Sequence, residues 1–499
     1  MIILLNSKSA THSFRPPNAL LYLGALLEGK YDYEIVDQNF DKNVLQTLTK
    51  LIKEKNVKYL GITVMPGPQM IHAIPISKEL KRIYPALKIV WGGYFPTFHP
   101  NTVLSADYVD FCFRGNVESS FVDFIDALEG KPGAKPLKDI LGLCYKEDGK
   151  IIKNEKAETT DPNTIPVLPY HRVSMERYLR PGKTHLGSRT MAYLSSIGCP
   201  FTCGFCAIAG LHKGVWLGRD PELVYRDIKF LKDNYNIGAL EFHDDNFFVA
   251  EKRAYGIAKR IKDFNLKWWG EARPDTMMKY SDETLQMLAD SGLKMVYFGA
   301  ESSSEDILKL MNKGGTQTPQ TVLNLAERLK KFNIIPEFSF VLGAPSENVE
   351  EVIDSDIKFI RKIKEINPLA EIILYIYSPV NFEDSEMSLA SKLKGFDYPK
   401  TLDEWLSPRW KNFDIRKYAQ TPWLKPHHIK KIKNFERTLN SRFPTLTDTK
   451  IRGWKRTLME LLGSWRYKTS FYFAPYELLV TQRLLRYRQP EIEGFAFED

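Results

Sequence analysis

The sequence predicts an α/β protein made of two parallel-sheet units in series, a doubly wound open sheet followed by a partial (β/α)6 barrel, with a mainly helical carboxyl-terminal region. Three observations predict it. Over residues 1–130, short apolar runs of strand length alternate with segments whose apolar residues recur at three- and four-residue intervals. The alternation resumes over residues 191–380, after a stretch rich in Pro, Lys and turn residues. Beyond 380 it is lost, and aromatic and basic residues accumulate.

The chain has 499 residues, 43% hydrophobic and 26% charged, enough apolar material for two or three cores; disorder, collagen and a disulfide miniprotein are excluded. No run approaches the roughly 18 apolar residues of a spanning helix. The start, Met1-Ile-Ile-Leu-Leu-Asn6, lacks the basic and long apolar regions of a secretory signal, so a cytoplasmic location is expected. Five unevenly placed cysteines do not make a disulfide framework. Cys199, Cys203 and Cys206 fall within eight residues, which points to metal chemistry in a reducing compartment. The net charge of +9 is concentrated in residues 401–490, where 19 Lys and Arg face 7 Asp and Glu. Such charge attracts nucleic acid, anionic lipid or an acidic small molecule. No nucleic-acid motif accompanies it, so nucleic acid is not expected.

In the first unit the candidate strands are Ile2–Leu5, Glu34–Val36, Tyr59–Val64, Lys88–Trp91 and Tyr108–Phe113. This is a flavodoxin- or Rossmann-like pattern, in which ligands bind beyond the carboxyl ends of the strands, here at Thr63 and Gly92-Gly93. No GxGxxG follows the first strand, which disfavours a dinucleotide. Paired glycines let a flat ligand, or only a tight turn, approach the backbone. Residues 131–190, with one strand pair near 142–145 and 151–152, read as a linker wrapping between the two units.

In the second unit the strands are Ala192–Ile197, Ala239–Phe242, Lys267–Trp269, Met295–Phe298, Glu337–Leu342 and Ile372–Ile376. Asp220-Pro221, Ser281 and Thr318-Pro319 start helices, and Gly292 stops one. The working face of such a barrel is the carboxyl end of its strands. Cys199-Pro-Phe-Thr-Cys203-Gly-Phe-Cys206 follows the first strand and Gly198 directly. Three thiolates on one loop can hold three corners of a cubane iron–sulfur cluster and leave one iron open. The alternative is a closed zinc site with His212 as fourth ligand.

This CxxxCxΦC loop, with Phe205 as its aromatic, resembles the signature of the radical S-adenosylmethionine enzymes. The resemblance implies a [4Fe-4S] cluster on Cys199, Cys203 and Cys206, with S-adenosylmethionine on the open iron and cleaved to a 5′-deoxyadenosyl radical. It further implies S-adenosylmethionine contacts at Phe205, at Asp244 and Asp245 for the methionine ammonium, and at Arg273 for the carboxylate. Glu301 would meet the ribose and the Gly343 backbone the adenine. His243 receives no proton-transfer role.

Residues 1–130 resemble the cobalamin-binding domain of the cobalamin-dependent members of that family, on Arg15-Pro-Pro17, Val36-Asp37, Trp91-Gly-Gly-Tyr-Phe-Pro-Thr97 and Arg114-Gly-Asn-Val-Glu118. The implied cobalamin contacts are Pro17, Asp37, Thr63, Gly92, Gly93, Arg114 and Glu118. Asp37-Gln38-Asn39-Phe40-Asp41 has no histidine where cobalamin mutases carry DxHxxG, so the resemblance implies cobalt without a protein ligand.

Residues 451–468 read as an amphipathic basic helix, and 476–487 as another. Docking on an anionic membrane surface is one reading. A helical cap over the barrel mouth is preferred, because Leu and Trp pack equally well. Cys112 and Cys144 read as small core residues. The expected activity is cobalamin-dependent C-methylation of an unactivated carbon in a small-molecule or lipid substrate, with electrons from a donor such as flavodoxin or ferredoxin. The alternatives are radical cyclisation, rearrangement or carbon–carbon coupling of a lipid, pigment or natural product, and, from another class, a zinc-stabilised binding protein.

Overall fold

A computed structural model describes residues 1–9, 14–116, 118–179, 184–313, 315–379, 386–411, 421–446 and 451–487. The first sheet contains β1 (Ile2–Asn6), β2 (Tyr33–Asp37), β3 (Tyr59–Thr63), β4 (Lys88–Gly92), β5 (Phe111–Phe113), β6 (Leu143–Glu147) and β7 (Lys150–Lys153), in the order β2-β1-β3-β4-β5-β6-β7. β1 to β5 are parallel, and the order reverses between β1 and β3, which opens a crevice beyond their carboxyl ends. β6 and β7 add on antiparallel, Cys112 opposite Cys144. The linker as expected from sequence is therefore too long: its hairpin belongs to the first sheet, where it covers the β5 edge that would otherwise be open.

The next strands are β8 (Thr190–Tyr193), the short antiparallel pair β9 (Ser196–Gly198) and β10 (Trp216–Gly218), then β11 (Ala239–Phe242), β12 (Lys267–Ala272), β13 (Leu293–Glu301), β14 (Ile335–Leu342) and β15 (Glu371–Ile376). A six-stranded parallel sheet, β15-β14-β13-β12-β11-β8, forms the partial barrel, with β8 and β15 as its edges. The single strand expected at Ala192–Ile197 is broken in two, because Asp244 holds the Ser195–Ser196 corner from the neighbouring strand end.

Local signals fix the helix ends. The Asp220, Ser281 and Thr318 side chains each accept a first-turn amide. Gly292 sits at φ 101°, where a Cβ would collide with the Leu266 carbonyl oxygen. Trp268 is fully buried among Phe242, Phe247 and Phe248 on the outer face of the barrel strands. Each such ring contributes roughly 1.5–3 kcal/mol through burial.

Helix Met175–Leu179 of the linker is wedged between the units. Its Met175, Tyr178 and Leu179 enter the barrel core, and the Tyr178 hydroxyl donates to Asp37 at 2.7 Å. The carboxyl-terminal region divides in two, which corrects the expectation of one cap. Phe396, Leu402, Trp405 and Trp410 join the core of the first sheet, and the Trp423 indole donates to the Gly343 carbonyl at the barrel rim. Helices Pro426–Arg442, Trp454–Thr469 and Tyr476–Leu484 instead flank helix Val349–Ile366, through Lys431 on Glu350 and Asp354 and Arg361 on the Tyr467 carbonyl. Among the described residues no helix is long and apolar enough to cross a membrane.

Candidate active site

The cysteine loop is built outward from the β8 corner. Asp244 is buried; it accepts the Ser195 amide at 3.1 Å, the Ser195 hydroxyl at 2.8 Å and the Ser196 hydroxyl. It is turned into the corner it holds. Gly198 follows at φ 83°, where a Cβ would collide with the Val215 carbonyl oxygen, so only glycine lets the β9–β10 pair close. Asp245 accepts the Gly198 amide at 3.0 Å, and burial pushes its carboxyl up to about 6.

The loop is then clamped to the segment after β13. The Gly204 amide donates to the Met311 carbonyl at 2.9 Å, and the Asn312 side chain to the Thr202 carbonyl at 2.9 Å. Phe205 packs against a buried cluster of Ile307, Met311, Ala344 and Tyr377.

Two side-chain donors reach the sulfurs: Asn246 Nδ2 lies 3.7 Å from Cys199 Sγ, and Arg273 Nη1 lies 3.4 Å from Cys203 Sγ. Burial, reinforced by repulsion from Cys203, pushes the Cys206 thiol up to about 12. Such a trio is held as thiolates only beside compensating positive charge, as iron supplies. Among the described residues only Glu350, His427 and His428 bring three ligand atoms within 4.8 Å of one another; the three cysteine sulfurs do not. Ligands of one tetrahedral zinc at about 2.3 Å would lie closer than that, whereas three corners of a cubane sit on separate irons. His212 is not gathered with the sulfurs either: among the described residues it forms no such group with two of the cysteines, and its Nδ1 meets the Thr159 hydroxyl at 2.9 Å. The residues fit the cluster.

At the other strand ends the expected contacts are largely engaged by the protein itself. The Arg273 fork pairs with Asp275 through two hydrogen bonds of 3.0 Å. Glu301, at φ 66°, pairs with Lys313 at 3.1 Å, both buried. Gly343 has φ 80°, and a Cβ there would lie 2.7 Å from Leu424. Inside the barrel, Glu241 meets His243 at 2.9 Å and Arg15 of the first unit at 2.5 Å. Burial, together with Asp245 and Glu337, holds the Glu271 carboxyl well above the usual range. Trp269, Tyr297 and Tyr375 make an aromatic wall. Lys313 and Trp423 carried no sequence signal, because nothing local distinguishes a buried lysine or rim tryptophan from a solvated one. Asn246 lay in a polar stretch that pointed to the right place without naming the residue.

The strand ends of the first sheet face this loop. A Cβ on Gly92 would meet nothing within 4 Å, so the shelf is open; Gly93, at φ 96°, lies against Thr63 and Val64. The Thr97 hydroxyl donates to the Gly93 carbonyl at 2.7 Å and accepts the Gly115 amide at 3.1 Å. Arg114 Nε and Ser7 Oγ are buried at these ends with no hydrogen-bond partner among the described residues, as suits a polar ligand resting there. Pro17 is buried at the start of helix Asn18–Leu27. Asp37 accepts the Asn39 amide at 2.9 Å and the Tyr178 hydroxyl at 2.7 Å. Glu118 opens helix Glu118–Leu128, and its side chain lies outside the described residues. Burial, with a smaller contribution from Cys206, raises the pKa of the Tyr94 hydroxyl beside Gly93.

An open parallel sheet whose strand ends face a three-cysteine loop on a six-stranded partial barrel defines a two-cofactor radical enzyme. Residues 193–356 match the model of the radical SAM superfamily, and residues 10–125 match that of the B12 binding domain. An uncharacterized methyltransferase of Pyrococcus horikoshii is 33% identical over 353 residues, 70% of this chain and 73% of that protein. The anaerobic magnesium-protoporphyrin IX monomethyl ester cyclase of Synechocystis is 25% identical over 362 residues, 70% and 68% of the two chains. The radical S-adenosylmethionine methyltransferase TsrM of Kitasatospora setae, solved with cobalamin and a [4Fe-4S] cluster bound, has the same fold: TM-score 0.67 at 16% identity, over 97% of this chain and 99% of that one. The chain belongs to the radical SAM superfamily, in the group whose barrel follows a B12 binding domain.

Proposed function

We propose that this enzyme is a cobalamin-dependent methyltransferase that places a methyl group on an unactivated carbon of a small-molecule substrate held in the barrel. The observation that carries the reading is the apposition of the two units at their strand ends, where Arg15 of the first unit pairs with Glu241 at the second strand of the barrel. When bound, the cluster supplies an electron to S-adenosylmethionine and the corrinoid supplies the methyl group.

The chain's own residues place and shield these groups. Cys199, Cys203 and Cys206 hold the cluster, while Asn246 and Arg273 donate to the sulfurs and fix the loop. Phe205 closes its apolar side. Asp245 is the carboxylate at the strand end left for the methionine ammonium; the Glu301–Lys313 pair and the Gly343 turn line the nucleoside end. Thr63, the Gly92-Gly93 shelf and Arg114, with Pro17 behind them, cradle the corrin. The Trp269, Tyr297 and Tyr375 wall keeps water from the substrate. A flavodoxin or ferredoxin supplies the electron.

The likeness to the Synechocystis cyclase supports a second reading, in which the same radical closes a ring. Anaerobic reconstitution with iron, sulfide and hydroxocobalamin tests the proposal. It predicts about four irons and one corrinoid per chain, with 5′-deoxyadenosine formed from S-adenosylmethionine under dithionite. Iron without corrinoid would move the reading to cyclisation or rearrangement, and zinc in place of iron would remove the radical chemistry.

A further inference from the structure

Apolar side chains collect on one outward face of the carboxyl-terminal helices. In helix Trp454–Thr469 the buried face is Met459, Gly463, Arg466 and Tyr467; a Cβ on Gly463 would fall 2.6 Å from the Arg442 amide nitrogen, so helix Pro426–Arg442 occupies that side. Trp454, Leu458, Leu461 and Trp465 recur at four-, three- and four-residue steps on the opposite face, where Trp454 is 68% and Leu461 67% exposed. Helix Tyr476–Leu484 repeats the pattern, with Leu478 and Gln482 inward and Tyr476, Val480 and Leu484 outward. Phe471, stacked on Trp465 at 6.0 Å, and Phe473 lie exposed in the turn between them.

An apolar face of this extent in water is a contact surface. Charge selects what covers it. Residues 451–487 carry seven Lys and Arg against two acids, and both acids are taken, Glu460 by Arg456 at 2.8 Å and Glu477 by Arg466 at 2.9 Å. Arg452, Lys455, Lys468 and Arg483 have no ion-pair partner among the described residues. Tryptophan and leucine beside a cluster of free cations suit the headgroup boundary of an anionic bilayer, where rings enter the acyl edge and cations meet phosphate.

We infer that the outward faces of helices Trp454–Thr469 and Tyr476–Leu484 seat the enzyme on an anionic lipid surface, with Lys468 and Arg483, exposed at the edge of the apolar stripe, meeting lipid phosphate. This goes beyond the proposed reaction and does not depend on it.

Flotation of the full chain with vesicles of phosphatidylcholine alone, or with one third phosphatidylglycerol, tests it. Binding is expected to the anionic vesicles only, weakened at high salt, and reduced at least about tenfold in Leu461→Asp/Trp465→Asp and in Lys468→Glu/Arg483→Glu, with unchanged thermal unfolding. Four results would overturn it: equal binding to both vesicles; wild-type binding in both variants; a stable dimer that Leu461→Asp/Trp465→Asp dissolves without any vesicle binding, which would make a second copy the occupant; or binding only after removal of residues 488–499, which would assign the face to the chain's own tail.

Discussion

Arg15 Nη2 lies 2.5 Å from Glu241 Oε2 and ties the first loop of the amino-terminal sheet to the second strand of the barrel. The carboxylate is 9% exposed and the guanidinium 48%. Burial pushes the Glu241 carboxyl up, but the His243 hydrogen bond and the Arg15 charge outweigh it and hold it at about 2. A half-buried pair of this kind adds little net stability over an apolar contact, yet losing the partner of the buried carboxylate is felt. Its main effect is to fix the angle at which the two strand-end faces meet.

Arg15→Met should therefore weaken the protein by about 1–3 kcal/mol at pH 7. The sign with pH follows from a folded pKa below the ordinary 4.5: the stabilisation is complete above pH 4.5 and is lost as pH falls toward 2. Urea unfolding of parent and variant across this range should give midpoints that differ most above pH 4.5 and converge below it.

Gly198→Ala replaces no ligand, yet it should empty the cluster site. Its Cβ would collide with the Val215 carbonyl at a φ of 83°, a combination that costs about 1–3 kcal/mol. The hairpin that presents Cys199 would shift. Iron per reconstituted chain should fall by at least about half, while far-ultraviolet circular dichroism stays that of the parent.

Lys313→Met strands the Glu301 carboxylate in the interior and should destabilise by about 3–5 kcal/mol. Adding Glu301→Gln removes the unpaired charge and should recover most of that loss. A double-mutant cycle by chemical denaturation reads it directly, and additive effects would show that the pair is not coupled.

Cys203→Ala should abolish both the cluster absorption and S-adenosylmethionine cleavage. Arg273→Lys keeps the charge but loses the fork that spans Asp275 and reaches Cys203, so it should retain iron with reduced cleavage. Iron content and 5′-deoxyadenosine yield, measured on both variants, separate a ligand from a residue that positions one.

What was legible in the sequence was local. The caps at Ser281 and Thr318, the stop at Gly292 and the spacing of three cysteines each depend on a few neighbouring residues, and each is found where its pattern put it. Partnerships between distant residues were not legible. Asp37 meets Tyr178 across 141 positions and Asp244 meets Ser195 across 49, so carboxylates that looked free for a cofactor are engaged by the protein. The hairpin of β6 and β7 looked like linker because its turns dominate its composition, while the sheet edge it covers belongs to another segment. The tryptophans make the same point: Trp405 and Trp410 are buried in the first unit, whereas Trp454 and Trp465 face out. Only the tertiary arrangement distinguishes them.

The most direct test of the central claim is a single anaerobic incubation of the reconstituted enzyme with hydroxocobalamin, a strong reductant and S-adenosylmethionine carrying a deuterated methyl group. The account predicts that the corrinoid recovered from the protein carries the deuterated methyl and that 5′-deoxyadenosine accumulates in the same tube. Accumulation of 5′-deoxyadenosine with an unlabelled corrinoid would contradict it.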